Sequence, residues 1–197
     1  MTLFLLALFF FVVGSIPTGT VIARLKGVDL RSVGSGNIGA TNVLRSMGRV
    51  PALLTLIGDV LKGVAAIIVS SRFFLNDPFQ IGIVGLSAIA GHDFSLFLRF
   101  RGGKGVATSI GVLLAYSPLV AFITTGIWLV VVVTTRYSSL GAVVSFTVLP
   151  VTMYLLDPES GKVIISAAMT ALLLLKHVAN IQRLLAGTES KVGEKVR

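Results

Sequence analysis

Residues 79–109 read F-Q-I-G-I-V-G-L-S-A-I-A-G-H-D-F-S-L-F-L-R-F-R-G-G-K-G-V-A-T-S, where an apolar run meets a basic, glycine-rich loop. The run over 79–98 has the length that an α-helix needs to cross a bilayer. In the loop, three glycines let an anion approach main-chain N–H groups, and Lys104 can place an ammonium on the same anion. The pattern predicts a phosphate-binding loop at a membrane surface, although a basic turn between two membrane helices has the same composition. The predicted contacts are Gly102, Gly103, Lys104 and Gly105.

The composition is that of an integral membrane protein. Of 197 residues, 54% are hydrophobic and only 13% are charged, whereas about a quarter of the residues in soluble domains are charged. The mean hydropathy is +0.94. The net charge of +9 does not indicate a nucleic-acid partner, because the basic cytoplasmic loops of a membrane protein account for it. The absence of cysteine excludes disulfides and thiolate metal sites.

The apolar segments predict an all-α, polytopic fold with about seven transmembrane helices, in a single domain over residues 1–197. No basic residue precedes the first segment, so we interpret it as a retained helix rather than a signal peptide. It is interrupted at residues 14–17, and the short fourth segment is broken at 117–118. We expect the charged tail from Gly187 to fray. The predicted spans are residues 3–23, 51–71, 79–98, 106–116, 119–135, 140–156 and 163–175, the last continuing as an amphipathic helix to 185.

The basic residues predict the orientation of these spans. Of the 17 Lys and Arg residues, 14 follow the first, third, fifth or seventh span. Because basic loops stay in the cytoplasm, the N-terminus is expected outside and the C-terminus in the cytoplasm. Three polar segments then share the cytoplasmic face, at residues 31–49, 99–109 and 176–190.

Two of these polar segments flank the glycine-rich loop in sequence. The first reads S-V-G-S-G-N-I-G-A-T-N-V-L-R over 32–45; it contains G-x-G-x-x-G, but the strand and βαβ unit of a dinucleotide site are not predicted. Its hydroxyls, amides and Arg45 suit oxygen-rich anions, although a solvated loop is the alternative. The other reads K-H-V-A-N-I-Q-R over 176–183, and a helix places His177 and Asn180 on one face. These two could instead serve the end of an amphipathic helix.

Four ionisable residues fall inside predicted spans. Asp59 and Lys62 are three residues apart on one helix, so we expect them to neutralise each other. His92 and Asp93 either line a site or brace the helix bundle. Neither the H-x-x-x-x-D box of many glycerolipid acyltransferases nor the D-G-x-x-A-R box of CDP-alcohol phosphotransferases is present. Because no carboxylates have metal-ligand spacing, the sequence predicts no metal and no other cofactor.

Three stretches together resemble the acyl-phosphate:glycerol-3-phosphate acyltransferases of bacterial membranes, the PlsY family. They are G-S-G-N-I-G-A-T-N with Arg45, G-H-D-F-S-L-F-L-R-F-R-G-G-K-G-V-A-T, and K-H-V-A-N-I-Q-R-L-L-A-G-T-E, and the similarity covers essentially the whole chain. The resemblance implies transfer of a fatty acyl group from acyl phosphate to the sn-1 hydroxyl of glycerol 3-phosphate. The products are lysophosphatidic acid and phosphate, in the first step of bacterial phospholipid synthesis. It also implies a multi-pass inner-membrane protein that receives acyl phosphate from a peripheral phosphate acyltransferase and uses neither acyl-CoA nor acyl carrier protein.

The residue types suit such a reaction. Acyl phosphate is an activated mixed anhydride, so neither an acyl-enzyme nor a metal is needed, but two phosphate dianions require cations between them. We expect acyl phosphate to bind Gly102, Gly103, Lys104 and Gly105. We expect glycerol 3-phosphate to bind Ser35, Asn37, Thr41, Arg45, His177 and Asn180. The predicted catalytic residues are Lys104, His177, Asn180, Arg45 and Ser35.

The group that takes the proton from the attacking hydroxyl is either His177 or a substrate phosphate, and our hypothesis is the phosphate. The main alternative to an enzyme is a transporter of organic phosphates. Transporters often contain inverted repeats, and no repeat is visible in this sequence. A non-catalytic protein that binds anionic lipids would explain the basic loops but not the many Gly, Asn and Ser residues.

Overall fold

The computed structural model describes residues 1–193, which form an all-helical structure without strands. Residues 194–197, which include Lys195 and Arg197 of the predicted basic face, lie outside the described range. A single 3-10 turn, Leu96–Leu98, follows the third long helix. The α-helices are α1 (Thr2–Ser15), α2 (Thr18–Arg24), α3 (Ala40–Met47), α4 (Arg49–Phe73), α5 (Pro78–Asp93), α6 (Val106–Tyr116), α7 (Pro118–Thr135), α8 (Ser138–Leu156) and α9 (Ser160–Leu185). The predicted all-α class is confirmed.

Six helical segments in residues 1–193 are long and apolar enough to cross a membrane, with α1 and α2 together forming one of them. The predicted fourth span is α6, which has only 11 residues. At a rise of 1.5 Å per residue, a helix of this length covers about half of a ~30 Å hydrocarbon core. Large apolar side chains such as Phe122, Val133 and Leu155 are exposed on the outside of the bundle, where lipid would surround them.

The helix boundaries follow from proline and capping residues. The break between α1 and α2 falls at Pro17, because proline lacks the N–H group that would continue the hydrogen bonds of the helix. Pro78 and Pro118 occupy the first turns of α5 and α7, where no N–H partner is missed. The carboxylate of Glu159 caps α9 by accepting hydrogen bonds from the N–H groups of Gly161 and Lys162, at 3.1 and 2.9 Å.

Close packing of α4 on α6 fixes the place where the glycine-rich loop ends. A Cβ added to Gly63 of α4 would lie 2.2 Å from the carbonyl oxygen of Thr108. A Cβ added to Gly111 of α6 would lie 2.0 Å from the carbonyl oxygen of Val60. Only glycine allows the two backbones to approach this closely, as is common between membrane helices. The first turn of α6 is therefore held against the middle of α4.

The segment between α2 and α4 is more ordered than the sequence predicted, since residues 40–47 form the short helix α3. Its Asn42 side chain is almost fully buried and organises the preceding loop. The amide nitrogen donates to the carbonyl oxygens of Leu30, Val33 and Asn37, while the amide oxygen accepts a hydrogen bond from the N–H of Ser35. The segment of residues 34–39 thus wraps around one buried amide rather than forming a solvated connection.

The prediction that the chain frays from Gly187 is wrong for residues 188–192. The side chain of Arg45 donates to the carbonyl oxygens of Ser190 and Lys191 at 2.9 and 3.1 Å. The N–H of Val192 donates to the carbonyl oxygen of Arg136 at 2.7 Å. These bonds hold the segment across the end of the bundle, between α3 and the connection from α7 to α8.

Candidate active site

The three polar segments meet around one cavity of about 880 Å³ at one end of the bundle. Eight of the ten predicted site residues line it. The lining members of the predicted set are Ser35, Asn37, Thr41, Arg45, Lys104, Gly105, His177 and Asn180. Gly102 and Gly103 lie outside the lining, next to the end of α5 instead.

The backbone at Gly105 directs Lys104 into this cavity. Gly105 has φ +68° and is the N-cap residue of α6, a left-handed conformation that favours glycine. The preceding Lys104 donates from Nζ to Oδ1 of Asn180 at 2.5 Å. This bond joins the glycine-rich loop to α9 across 76 residues of sequence.

Burial lowers the pKa of Lys104 from 10.5 to about 8. Three nearby cations, Arg183, Arg45 and Lys176, lower this pKa further, whereas Glu189 opposes the shift. Lys104 therefore lies in a partly buried site that contains three other cations and one carboxylate. A phosphate anion entering the cavity would favour the charged ammonium.

His177 and Asn180 share one buried face of α9, as their spacing predicted. The ring Nδ1 of His177 lies 2.9 Å from the carbonyl oxygen of Leu173. A carbonyl oxygen can only accept, so Nδ1 carries the hydrogen, and Nε2 is the ring atom that remains for another partner. Asn180 uses its oxygen to bind Lys104 and its nitrogen to bind Glu189.

Glu189 is a site residue that the sequence analysis did not single out. Its Oε1 accepts hydrogen bonds from Ser139 Oγ and Asn180 Nδ2, both at 2.6 Å, and its Oε2 accepts one from Arg183 Nε at 2.7 Å. Burial opposes ionisation of this carboxyl, but these hydrogen bonds hold its pKa below the usual range. Glu189 is therefore a carboxylate that anchors residues 188–192 to α8 and α9.

Three other predicted residues, Arg45, Thr41 and Ser35, also line the cavity. Arg45 has a buried Nε without a hydrogen-bond partner, so its guanidinium retains a donor for a ligand. Thr41 Oγ1 lies 3.3 Å from Ser138 Oγ of α8. Ser35 is exposed at the rim, and its main-chain N–H is bound to Asn42.

The cavity continues from this polar end into an apolar region. Its walls come from α4, α6, α7 and α8, and among residues 1–193 the ionisable side chains that border the part away from the loops are Asp59 and His92. Cations at one end and apolar walls at the other suit a lipid with a phosphate head. The apolar lining residues include Leu53, Leu56, Val60, Ile110, Trp128 and Phe146.

The predicted pairing of Asp59 with Lys62 is confirmed, with 2.7 Å between Lys62 Nζ and Asp59 Oδ1. The pair extends to a third residue, because Nδ1 of His92 lies 3.6 Å from the same carboxylate oxygen. Among residues 1–193, no group of three or more His, Cys, Asp or Glu side chains is arranged to hold a metal ion.

Comparison with known proteins gives the family. The family model for glycerol-3-phosphate acyltransferase matches residues 4–187. The chain is 48% identical to the glycerol-3-phosphate acyltransferase of Rhizobium meliloti. The alignment of 190 residues covers 95% of this chain and 91% of the relative. The chain is also 42% identical to the glycerol-3-phosphate acyltransferase of Geobacter sulfurreducens. That alignment of 181 residues covers 92% of this chain and 93% of the relative.

Two solved structures share the fold. One is PlsY (YgiH), an integral membrane glycerol 3-phosphate acyltransferase in its glycerol 3-phosphate form, with a TM-score of 0.92 and 38% identity over 98% of this chain and 96% of that one. The other is the lysophosphatidic acid form of PlsY, with a TM-score of 0.89 and 36% identity over 97% of this chain and 95% of that one. Both the resemblance and the integral membrane character predicted from sequence are thereby confirmed, and the chain belongs to the glycerol-3-phosphate acyltransferase family of membrane enzymes.

Proposed function

We propose that this acyltransferase takes its acyl group from acyl phosphate and places it on the sn-1 hydroxyl of glycerol 3-phosphate, releasing phosphate. One observation carries the proposal: a cavity with several cations at its polar end opens directly into an apolar region. Acyl phosphate has the matching shape, with a phosphate head and a hydrocarbon tail. The solved relative in its glycerol 3-phosphate and lysophosphatidic acid forms supports the acceptor and the product.

The side chains supply what transfer from a mixed anhydride requires. Phosphate is already a good leaving group, so the reaction needs charge stabilisation rather than a covalent intermediate. We assign the acyl-phosphate head to Lys104 and Gly105, the two residues of the glycine-rich loop that line the cavity, where the ammonium of Lys104 can stabilise the charge on the departing phosphate. Glycerol 3-phosphate then lies between Arg45, His177 and Asn180, with its hydroxyl directed at the acyl carbon. Ser35, Asn37 and Thr41 complete its pocket.

Attack of the hydroxyl oxygen on the acyl carbon breaks the bond between that carbon and the bridging phosphate oxygen. The hydroxyl proton moves to a phosphate oxygen, whose second pKa of about 6 allows it to accept a proton near neutral pH. His177 and Asn180 position the acceptor in this scheme. An organic-phosphate transporter has no support among the named relatives, all of which are acyltransferases.

The membrane arrangement follows from the same loops. We propose an inner-membrane protein of a single domain with seven spans, α6 included, the N-terminus outside and the cavity open to the cytoplasm. The basic residues around the cavity support this orientation. A cytoplasmic opening would let a peripheral phosphate acyltransferase deliver acyl phosphate at the membrane surface.

The donor and the position of transfer can be tested together with purified protein. Acyl phosphate, acyl-CoA and acyl carrier protein are offered separately with glycerol 3-phosphate, and the 1-acyl and 2-acyl products are separated by chromatography. We expect 1-acyl product from acyl phosphate alone. Preference for either thioester, or predominant 2-acyl product, would overturn the assignment.

Two variants on α9 connect this result to the cavity. Asn180→Ala removes the acceptor for Lys104, and we expect a loss of at least about ten-fold in kcat/KM, as for loss of a hydrogen bond to a charged group. Gln182→Ala is the matched control, because Gln182 is exposed two residues further along the same helix. It should retain wild-type activity, and equal losses in both variants would mean that the cavity is not the reaction site.

A further inference from the structure

The glycine-rich loop rests on the last two residues of α5, His92 and Asp93. The N–H of Gly103 donates to the carbonyl oxygen of His92 at 2.9 Å, and the N–H of Gly102 donates to that of Asp93 at 3.2 Å. Lys176 of α9 donates to the same Asp93 carbonyl oxygen at 2.7 Å. Two N–H groups of the loop are thus committed to the protein and are not free for an anion.

The His92 ring lies directly beneath Gly103. A Cβ added to Gly103 would be 2.1 Å from His92 Nε2 and within 3.0 Å of two ring carbons. Such distances are far below van der Waals contact, so any side chain at 103 would have to displace the imidazole. Glycine at this position is therefore required by packing against His92, in addition to any approach of a substrate.

The other nitrogen of the ring faces a buried ion pair. This nitrogen, Nδ1, faces Asp59 at 3.6 Å, and Asp59 is bound to Lys62 at 2.7 Å. Lys62 also donates to the carbonyl oxygen of Ile16, at the break between α1 and α2. The side chains of His92, Asp59 and Lys62 are 6%, 3% and 7% exposed, so all three are buried.

We propose that His92 is a positioning residue for the acyltransfer reaction: its imidazole, oriented by Asp59, supports Gly103 and thereby sets the position of Lys104. The three heavy atoms nearest to a Cβ at Gly103 all belong to the His92 ring. With this support, Lys104 is placed against Asn180 before substrate arrives, so less ordering is needed on binding. The inference rests on the proposed function only in taking acyl phosphate as the ligand of the loop.

The test is a double-mutant cycle between His92 and Gly103. His92→Asn keeps an amide that can face Asp59 but removes the part of the ring beneath Gly103. Gly103→Ala alone should lower kcat/KM for acyl phosphate by about ten-fold or more, because its methyl group collides with the ring. Combined with His92→Asn, the same methyl group enters vacated space, and we expect recovery of at least about five-fold relative to Gly103→Ala.

Gly102→Ala provides the matched control. A Cβ at Gly102 would lie 2.0 Å from the main-chain oxygen of His92, which no side-chain substitution removes. His92→Asn should therefore leave the loss caused by Gly102→Ala unchanged. His92→Asn alone should raise KM for acyl phosphate more than KM for glycerol 3-phosphate and more than it lowers kcat.

Thermal unfolding of the same six proteins without substrate makes the test independent of the donor. We expect the melting temperature to follow the same pattern, with rescue of Gly103→Ala and not of Gly102→Ala. If Gly103→Ala cannot be isolated folded, recovery of folded protein in the double variant replaces the kinetic readout.

Losses that simply multiply in the His92–Gly103 pair would overturn the proposal, as would a His92→Asn variant that loses kcat with both KM values unchanged. If acyl phosphate is not the donor, wild type is inactive with it while the melting pattern persists, which separates failure of the proposed function from failure of this inference.

Discussion

The lowered pKa of Lys104 predicts how activity depends on pH. The ammonium is the form that binds phosphate, and the pKa of Lys104 is about 8 rather than 10.5. Because kcat/KM reports the free enzyme, it should fall as the pH rises through 8. At pH 9 a group with pKa 8 is about one-tenth protonated, which predicts a roughly ten-fold decrease from the value at pH 7. A lysine with pKa 10.5 would lose only about 3% of its charge over the same range.

The assay is phosphate release at limiting acyl phosphate from pH 6.5 to 10, corrected for hydrolysis without enzyme. Lys104→Arg keeps the charge at every pH tested, so its lower activity should show no alkaline decrease. Lys104→Ala should lose about 1.5–3 kcal/mol of stabilisation, equivalent to about 10- to 150-fold in kcat/KM.

Lys26→Arg is the control for these two variants, because Lys26 is an exposed lysine away from the cavity, and it should leave the alkaline decrease in place. A wild-type profile that stays flat to pH 9.5, or a Lys104→Ala variant with more than half of the wild-type kcat/KM, would refute this role of Lys104.

Three further predictions concern the proton, the metal and the membrane. His177→Gln should keep measurable activity at saturating glycerol 3-phosphate with a raised KM, whereas a fall of kcat to background would make His177 the base. Activity should survive EDTA, since residues 1–193 contain no acidic cluster for a metal, and loss reversed by Mg²⁺ would contradict this. Single cysteines at Ser35 and Ser190 should be labelled from the cytoplasm and one at Ser160 from outside; labelling of Ser190 from outside would mean that the spans are miscounted.

Much of the fold could be predicted because apolar runs and prolines act locally. The second predicted span, 51–71, corresponds to α4 at Arg49–Phe73, and the break at 117–118 separates α6 from α7. The short helix α3 was missed because it is polar and its stability depends on tertiary contacts. Asn42 binds four main-chain groups of the preceding loop, and nothing in the sequence around it distinguishes that amide from its neighbours.

The residues of the candidate site were easier to predict than their contacts. Residue type alone indicated Lys104, and helical spacing indicated Asn180, but the bond between them depends on how α6 and α9 are placed. Glu189 was missed because a charged segment near the end of a chain usually stays in solvent. Its role arises from three donors on α8 and α9 that no local pattern reveals.

Phosphorus NMR of the protein in liposomes distinguishes acyl transfer from transport, because it follows both substrates and both products in one sample. With acyl phosphate and glycerol 3-phosphate outside the vesicles, we expect lysophosphatidic acid and inorganic phosphate to appear at equal rates, without acyl-CoA or added metal. Release of phosphate without lysophosphatidic acid, or movement of unchanged glycerol 3-phosphate into the vesicles, would contradict acyl transfer in this cavity.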